Sequence, residues 1–129
     1  MIDYPFFTAE EELNCKCGEC EGHQMDPDFM DKLVAMREDL DFPFPLNSAY
    51  RCEKHNRNVG GSEHSAHVKG RGVDIRCSHR QALQIVDQAV DFGFTGIGVN
   101  QHGDSRFIHL DDLEDQETPN PRPHIWSYP

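Results

Sequence analysis

Basic residues are scarce in this chain: 12 Lys and Arg stand against 23 Asp and Glu, a formal net charge of −11 over 129 residues. Nucleic acids and anionic membrane or wall polymers are gripped by basic surfaces, so both nucleic-acid binding and simple electrostatic docking are disfavoured. Long apolar runs are also missing, and none approaches the length of a membrane span. The start, Met1-Ile2-Asp3-Tyr4-Pro5, lacks the basic stretch and apolar core of a secretory leader. A product made in the cytoplasm, with no export signal of its own, is the expectation. No His-Glu-x-x-His occurs, which disfavours a thermolysin-type protease, and no cysteine sits in a recognisable nucleophile context. Repeats and linkers are absent too. What is left is one soluble domain, residues 1–129, with 36% hydrophobic residues and enough length for a real core.

The chemistry is concentrated in two segments. Ser65-Ala66-His67 leads through Gly70 and Gly72 to Asp74, and Phe107-Ile108-His109-Leu110-Asp111 follows downstream. Two imidazoles and a carboxylate are the set that leaves a zinc ion one open position for water. A metal with an open position polarises carbonyls and activates water near neutral pH, so the pattern points to hydrolysis. The two glycines let the backbone turn tightly enough for His67 and Asp74 to face one ion.

Local patterns supply the surrounding elements. Thr8-Ala9-Glu10-Glu11 fits a capping box that opens a short helix. Asp26-Pro27 reads as the start of a longer helix with Phe29, Leu33, Met36 and Leu40 at helical spacing, ended by Phe42-Pro43-Phe44-Pro45. Leu46 to Tyr50 suits a strand that delivers Arg51, and Val73 to Arg76 a second. Ser78 is expected to cap a helix whose apolar face is Ala82, Ile85, Val86, Ala89 and Val90, stopped by Gly93. Gly96 to Asn100 and Arg106 to Asp111 read as strands joined at His102-Gly103-Asp104, and Asp112 to Arg122 as a long acidic surface loop. Alternation along the last strand puts Phe107, His109 and Asp111 on one face, so Asp111 is either a general base or the partner of a ligand histidine.

Five cysteines form a separate pattern. Cys15-x-Cys17-x2-Cys20, with His23 close behind, has the look of a second metal site, but its partner knuckle is missing from the local sequence. Cys52 and Cys77 follow the two strands that flank the site and could approach one another. Reduced, buried thiols are the default expectation.

Ser48-Ala49-Tyr50-Arg51-Cys52, His55-Asn56 and Val59-Gly60-Gly61 run directly into Ser65-Ala66-His67. Together these runs resemble the zinc D-alanyl-D-alanine carboxypeptidase and L-alanyl-D-glutamate endopeptidase family, murein-cutting metallopeptidases related in fold to the hedgehog signalling domain. The resemblance covers nearly the whole chain. Phe7-Thr8 through Glu12-Leu13-Asn14-Cys15 is similar to the opening segment, and Arg122 to Tyr128 to the closing strand of compact phage-type and bacterial members.

What the resemblance implies is specific. The fold would be α+β, a small mostly antiparallel sheet with helices packed on one side and a mononuclear zinc site at the sheet edge. His67, Asp74 and His109 would be the zinc ligands, and Arg51 and Ser65 would hold the substrate. Tyr50 and Trp126 could line the groove, although core packing is the more ordinary job for both. The reaction would be hydrolysis of a peptidoglycan stem peptide, of D,D-carboxypeptidase or L-Ala-D-Glu endopeptidase type. Arg51 would pair with a substrate carboxylate. A monomer reaching the wall by phage-assisted release, or as part of a virion, completes the expectation. One departure stands out: many members carry an acid three positions before the final histidine, where this chain has Arg106. Asp111 is then the first candidate for the base, Asp104 the second and His102 a third. The same departure feeds the alternative of a non-catalytic zinc-bearing domain that binds murein or builds a virion.

Overall fold

The computed structural model describes residues 2–129. One mixed sheet carries five strands, β1 (Leu46–Ser48), β2 (Gly72–Arg76), β3 (Gly96–Asn100), β4 (Phe107–Asp111) and β5 (His124–Ser127). Their spatial order is β1-β2-β4-β3-β5. All pairings are antiparallel except the last, in which β5 lies parallel to β3 at the edge. The helices are α1 (Pro27–Leu40), α2 (Glu53–Asn58) and α3 (His79–Ala89). The fold is therefore α+β.

The longer helices form for reasons visible in their residues. The Asp26 carboxylate accepts from the Phe29 amide at 2.9 Å and Pro27 opens the first turn, so α1 starts where its free amides are satisfied. Phe29, Met30, Leu33 and Met36 are fully buried, each contributing about 1.5–3 kcal/mol of apolar transfer. The helix stops at Asp41, which turns left-handed with φ 58°. Ala82, Ile85 and Ala89 give α3 its buried stripe. Two expectations for α3 change. Ser78 makes no side-chain capping bond, because His79 enters the helix with a left-handed φ of 52° and misaligns the first turn. Val90 is 56% exposed, because the chain tightens into a 3-10 turn at Val90–Phe92 and rotates it off the buried stripe. Gly93, at φ 97°, ends that turn.

Strand alternation then divides the sheet into two chemically different faces. Val73, Ile75, Ile97, Ile108 and Leu110 point into the core formed with α1 and α3. Asp74, His109 and Asp111 point the other way. The polar cluster thus lies over the middle strands β2 and β4, on the face opposite α1 and α3, rather than at the rim of the sheet. Gly96 and Gly98 share that face on β3. A Cβ on Gly96 would run into the Asp111 carboxylate, and one on Gly98 would stand 2.8 Å from Trp126 Nε1.

Beyond β4 the expected surface loop is exposed at 114–116 and 119–121, but its first two residues depart from that expectation. Asp112 and Leu113 are buried, and a short turn, Asp115–Glu117, leads on toward β5.

Candidate metal centre

Asp74 and His109 are direct partners in the β2–β4 ladder, so their side chains stand together on one face. His67 arrives from the loop before β2. That loop closes through Gly70, at φ 70°, and through the Arg71 amide donating to the Ala66 carbonyl at 2.9 Å. The spacing of His67 and Asp74 in sequence therefore becomes convergence in space. His67 Nε2 lies 3.3 Å and His109 Nδ1 3.0 Å from the same oxygen, Asp74 Oδ1. One ligand atom from each of the three lies within 4.8 Å of the others, and all three residues are buried.

The remaining ring nitrogens are also accounted for. His67 Nδ1 lies 2.7 Å from the Ala49 carbonyl, which can only accept. His109 Nε2 lies 2.9 Å from Asp111 Oδ2. In its neutral form each imidazole would keep its proton on the outer nitrogen and leave the inner one, which faces Asp74, free to bind a metal, the orientation metal-ligating histidines need. Asp111 is itself fixed, by Arg122 Nη2 at 3.1 Å and by the Leu113 amide at 3.2 Å.

The electrostatics favour a cation at this point. Burial pushes both imidazoles toward the neutral form, and for His67 it prevails and lowers the pKa. For His109, burial is outweighed by hydrogen bonds to Asp111 and Asp74, which raise the pKa to about 9. Asp74, despite its burial, is held well below the usual carboxylate range by the two histidines. A buried carboxylate flanked by two imidazoles, with a second carboxylate behind, is stabilised by positive charge. Two nitrogens and one oxygen suit a four-coordinate divalent ion of the zinc type, with a position left open.

A cleft of about 580 Å³ opens over the cluster. Arg51 reaches into it, with Nη2 3.6 Å from Asp74 Oδ2, Nε donating to Ser48 Oγ at 3.1 Å and Nη1 to Asn56 Oδ1 at 3.2 Å. Ser65 lines the cleft, and its hydroxyl accepts from the His67 amide at 3.2 Å. Tyr50 packs against the core and is not among the lining residues, nor are Asp104 and His102. The Arg106 side chain bonds back to the Gly103 carbonyl at 3.0 Å, away from the cluster.

Of the two aromatics that could line the groove, Trp126 does so and Tyr50 does not. Trp126 lines the cleft, with its ring 5.4 Å from that of His109, and His64 and His124 line it as well. Arg122, read only as part of a closing segment, touches Asp111 and leaves Nη1 buried without a partner. The bare face of β3 was the available signal. Glycine at both Gly96 and Gly98 marks a strand face that something else must occupy.

The cysteines also regroup. Cys52 joins Cys15, Cys17 and Cys20 rather than Cys77. Cys77 is buried and donates to the Ile75 carbonyl at 3.3 Å, and burial pushes its thiol up to about 11. His23 turns away from the cysteines to bond the Ile2 carbonyl at 2.7 Å.

Comparison with known proteins agrees with this geometry. The family model for peptidase M15 matches residues 6–111. The zinc D-Ala-D-Ala carboxypeptidase of Streptomyces albus G is 34% identical over 88 residues, which cover 59% of this chain. The aligned part is 34% of that relative, so the chain corresponds to about a third of its length. With His67, Asp74 and His109 converging inside the matched region, the chain belongs to the peptidase M15 family.

Proposed function

We propose that the chain is a zinc peptidase that hydrolyses peptide bonds in peptidoglycan stem peptides. The observation that carries this is the pair of second contacts, Ala49 to His67 and Asp111 to His109, which turn the other nitrogen of each ring toward Asp74. The carboxypeptidase named among its relatives supports both the metal and the substrate class.

His67, Asp74 and His109 would hold the ion. Bound there, zinc would supply Lewis-acid polarisation of a peptide carbonyl and a nucleophile from water at neutral pH. Arg51 supplies the grip on the substrate. Its guanidinium stands beside Asp74 with donors left over, placed for a carboxylate one residue beyond the bond that is cut. A C-terminal D-alanine offers such a group, and so does the free carboxylate of a D-glutamate. Ser65 adds a hydroxyl to the cleft wall and Trp126 an apolar surface. Of the two roles open to Asp111, its contacts favour positioning. His109 and Arg122 occupy its oxygens and, against the opposing effect of burial, lower its pKa, so it takes up a proton poorly.

Zinc content and product mass test this together. Purified protein incubated with soluble stem peptides is expected to yield a new free terminus, and His67→Ala to lose both the metal of this centre and the product. Release of D-alanine marks a D,D-carboxypeptidase, whereas a new L-alanine terminus marks the endopeptidase type. Metal held by His67 without cleavage of any stem peptide would leave a binding domain instead.

A further inference from the structure

We infer that Cys15, Cys17, Cys20 and Cys52 form a second metal site, a tetrathiolate zinc centre that clasps the N-terminal segment to the start of α2. Three of these sulfurs come from one short turn, and the fourth from a residue 35 positions beyond Cys17. All four Sγ atoms lie within 4.8 Å of one another, with Cys17 3.3 Å from Cys20 and 3.9 Å from Cys52. Zinc–sulfur bonds of about 2.3 Å in a tetrahedron separate the sulfurs by roughly 3.8 Å, inside that spread. All four thiols are free.

A second observation concerns the backbone. The amides of Glu19 and Cys20 both donate to Cys17 Sγ at 3.3 Å. The Cys52 amide donates to Cys15 Sγ, and the His55 amide to Cys52 Sγ, each at 3.4 Å. N–H groups aimed at sulfur stabilise the thiolate, the form that binds metal. Gly18, at φ 77°, supplies the tight turn that presents Cys17 and Cys20 together. Cys52 is the missing partner knuckle that the local sequence around Cys15 could not reveal.

The site has a structural consequence for the cleft. Cys52 directly follows Arg51, and the Tyr50 amide bonds the Leu13 carbonyl at 3.3 Å. A metal there would hold the chain on the Cys52 side of the residue that grips substrate, as the Leu13 bond holds it on the Tyr50 side. The site shares no residue with the His67 centre, so it stands or falls separately from the peptidase reading.

The test uses the full chain purified under reductant. Zinc per chain is measured for wild type, His67→Ala, Cys77→Ser and the double variant Cys17→Ser/Cys20→Ser, and each protein is then reloaded with cobalt(II). Two zinc ions are expected in wild type and Cys77→Ser, and one each in His67→Ala and the double variant. Cobalt-loaded wild type and His67→Ala should show an intense thiolate-to-cobalt charge-transfer band that the double variant lacks. The wild-type spectrum alone decides the matter if the double variant does not fold. A single zinc lost with His67→Ala, no such band, or a disulfide joining any two of the four cysteines in the reduced preparation would overturn the proposal.

Discussion

Asp111 illustrates how a single carboxylate can be read in two ways. A general base must be free to take a proton, and its removal costs roughly 10²–10⁴ in rate and reshapes the pH profile. A carboxylate that orients a ligand histidine acts through the metal, and its loss costs roughly 10–100-fold in metal affinity or activity. Buried between His109 and Arg122, Asp111 fits the second description. Asp111→Asn is therefore expected to lower kcat/KM by roughly 10–100-fold and to weaken zinc binding, with the acidic limb of the pH–rate profile in place. Loss of that limb would return Asp111 to the role of base. Arg51 has its own signature. Its planar fork is fixed by Ser48 and Asn56, and a charge-assisted hydrogen bond is worth about 1.5–3 kcal/mol. Arg51→Lys should thus raise KM by roughly 10–100-fold for a peptide with a free carboxylate, while an amidated peptide should respond little. Residues of this kind were legible where type and spacing carry the chemistry, as for His67, Asp74 and His109. Arg122 was not, because its importance comes from a contact 11 residues back that no local pattern encodes.

At the scale of elements, β3 shapes the cleft by what it leaves out. Gly96 and Gly98 face the cluster, and the space their missing side chains vacate holds the Asp111 carboxylate and the Trp126 and Tyr128 rings. A methyl group on Gly98 would lie 2.8 Å from Trp126 Nε1 and 2.9 Å from Tyr128 Cε2, forcing the edge strand β5 outward. Overpacking of this kind costs about 1–3 kcal/mol. Gly98→Ala should lower stability by that order and shift the emission of Trp126, the only tryptophan of the chain, while zinc content is retained. Unchanged emission and stability would mean that β5 is not held where the structure places it. The helices and strands with apolar periodicity were readable from their residues. Helix α2 was not, because its six residues, Glu-Lys-His-Asn-Arg-Asn, carry no apolar stripe. Its start is set by Cys52 and the cysteine cluster, and its buried Asn56 is held by Arg51 and the Ser62 carbonyl. These are tertiary causes, invisible to a window along the chain.

For the molecule as a whole, most of the 23 acidic residues are exposed, but Asp74, Asp111 and Asp112 are buried. Asp112, from the segment expected to be surface loop, is buried between Lys32 Nζ at 2.7 Å and Arg71 Nε at 2.8 Å. Those partners lie 80 and 41 residues away, which is why the sequence did not announce them. Arg71 also binds Glu117 at 2.6 Å, so one guanidinium pins the start and the middle of the strap that leads from β4 toward β5 and the cleft wall. Asp112→Asn removes the charge from a buried hub and should cost about 1–3 kcal/mol, read by chemical denaturation. Glu117 is more exposed, and its contribution is smaller and depends on pH. The Glu114 amide first, and Arg71 second, lower its pKa below the ordinary 4.5. A carboxylate whose folded pKa is depressed adds stability above its unfolded value and loses it as the pH falls through the folded one. Wild type should therefore exceed Glu117→Gln by about 0.5 kcal/mol near neutral pH, and the two should converge as the medium is acidified below 4.5. Parallel curves throughout that titration would show that the Glu117 charge does not hold the strap.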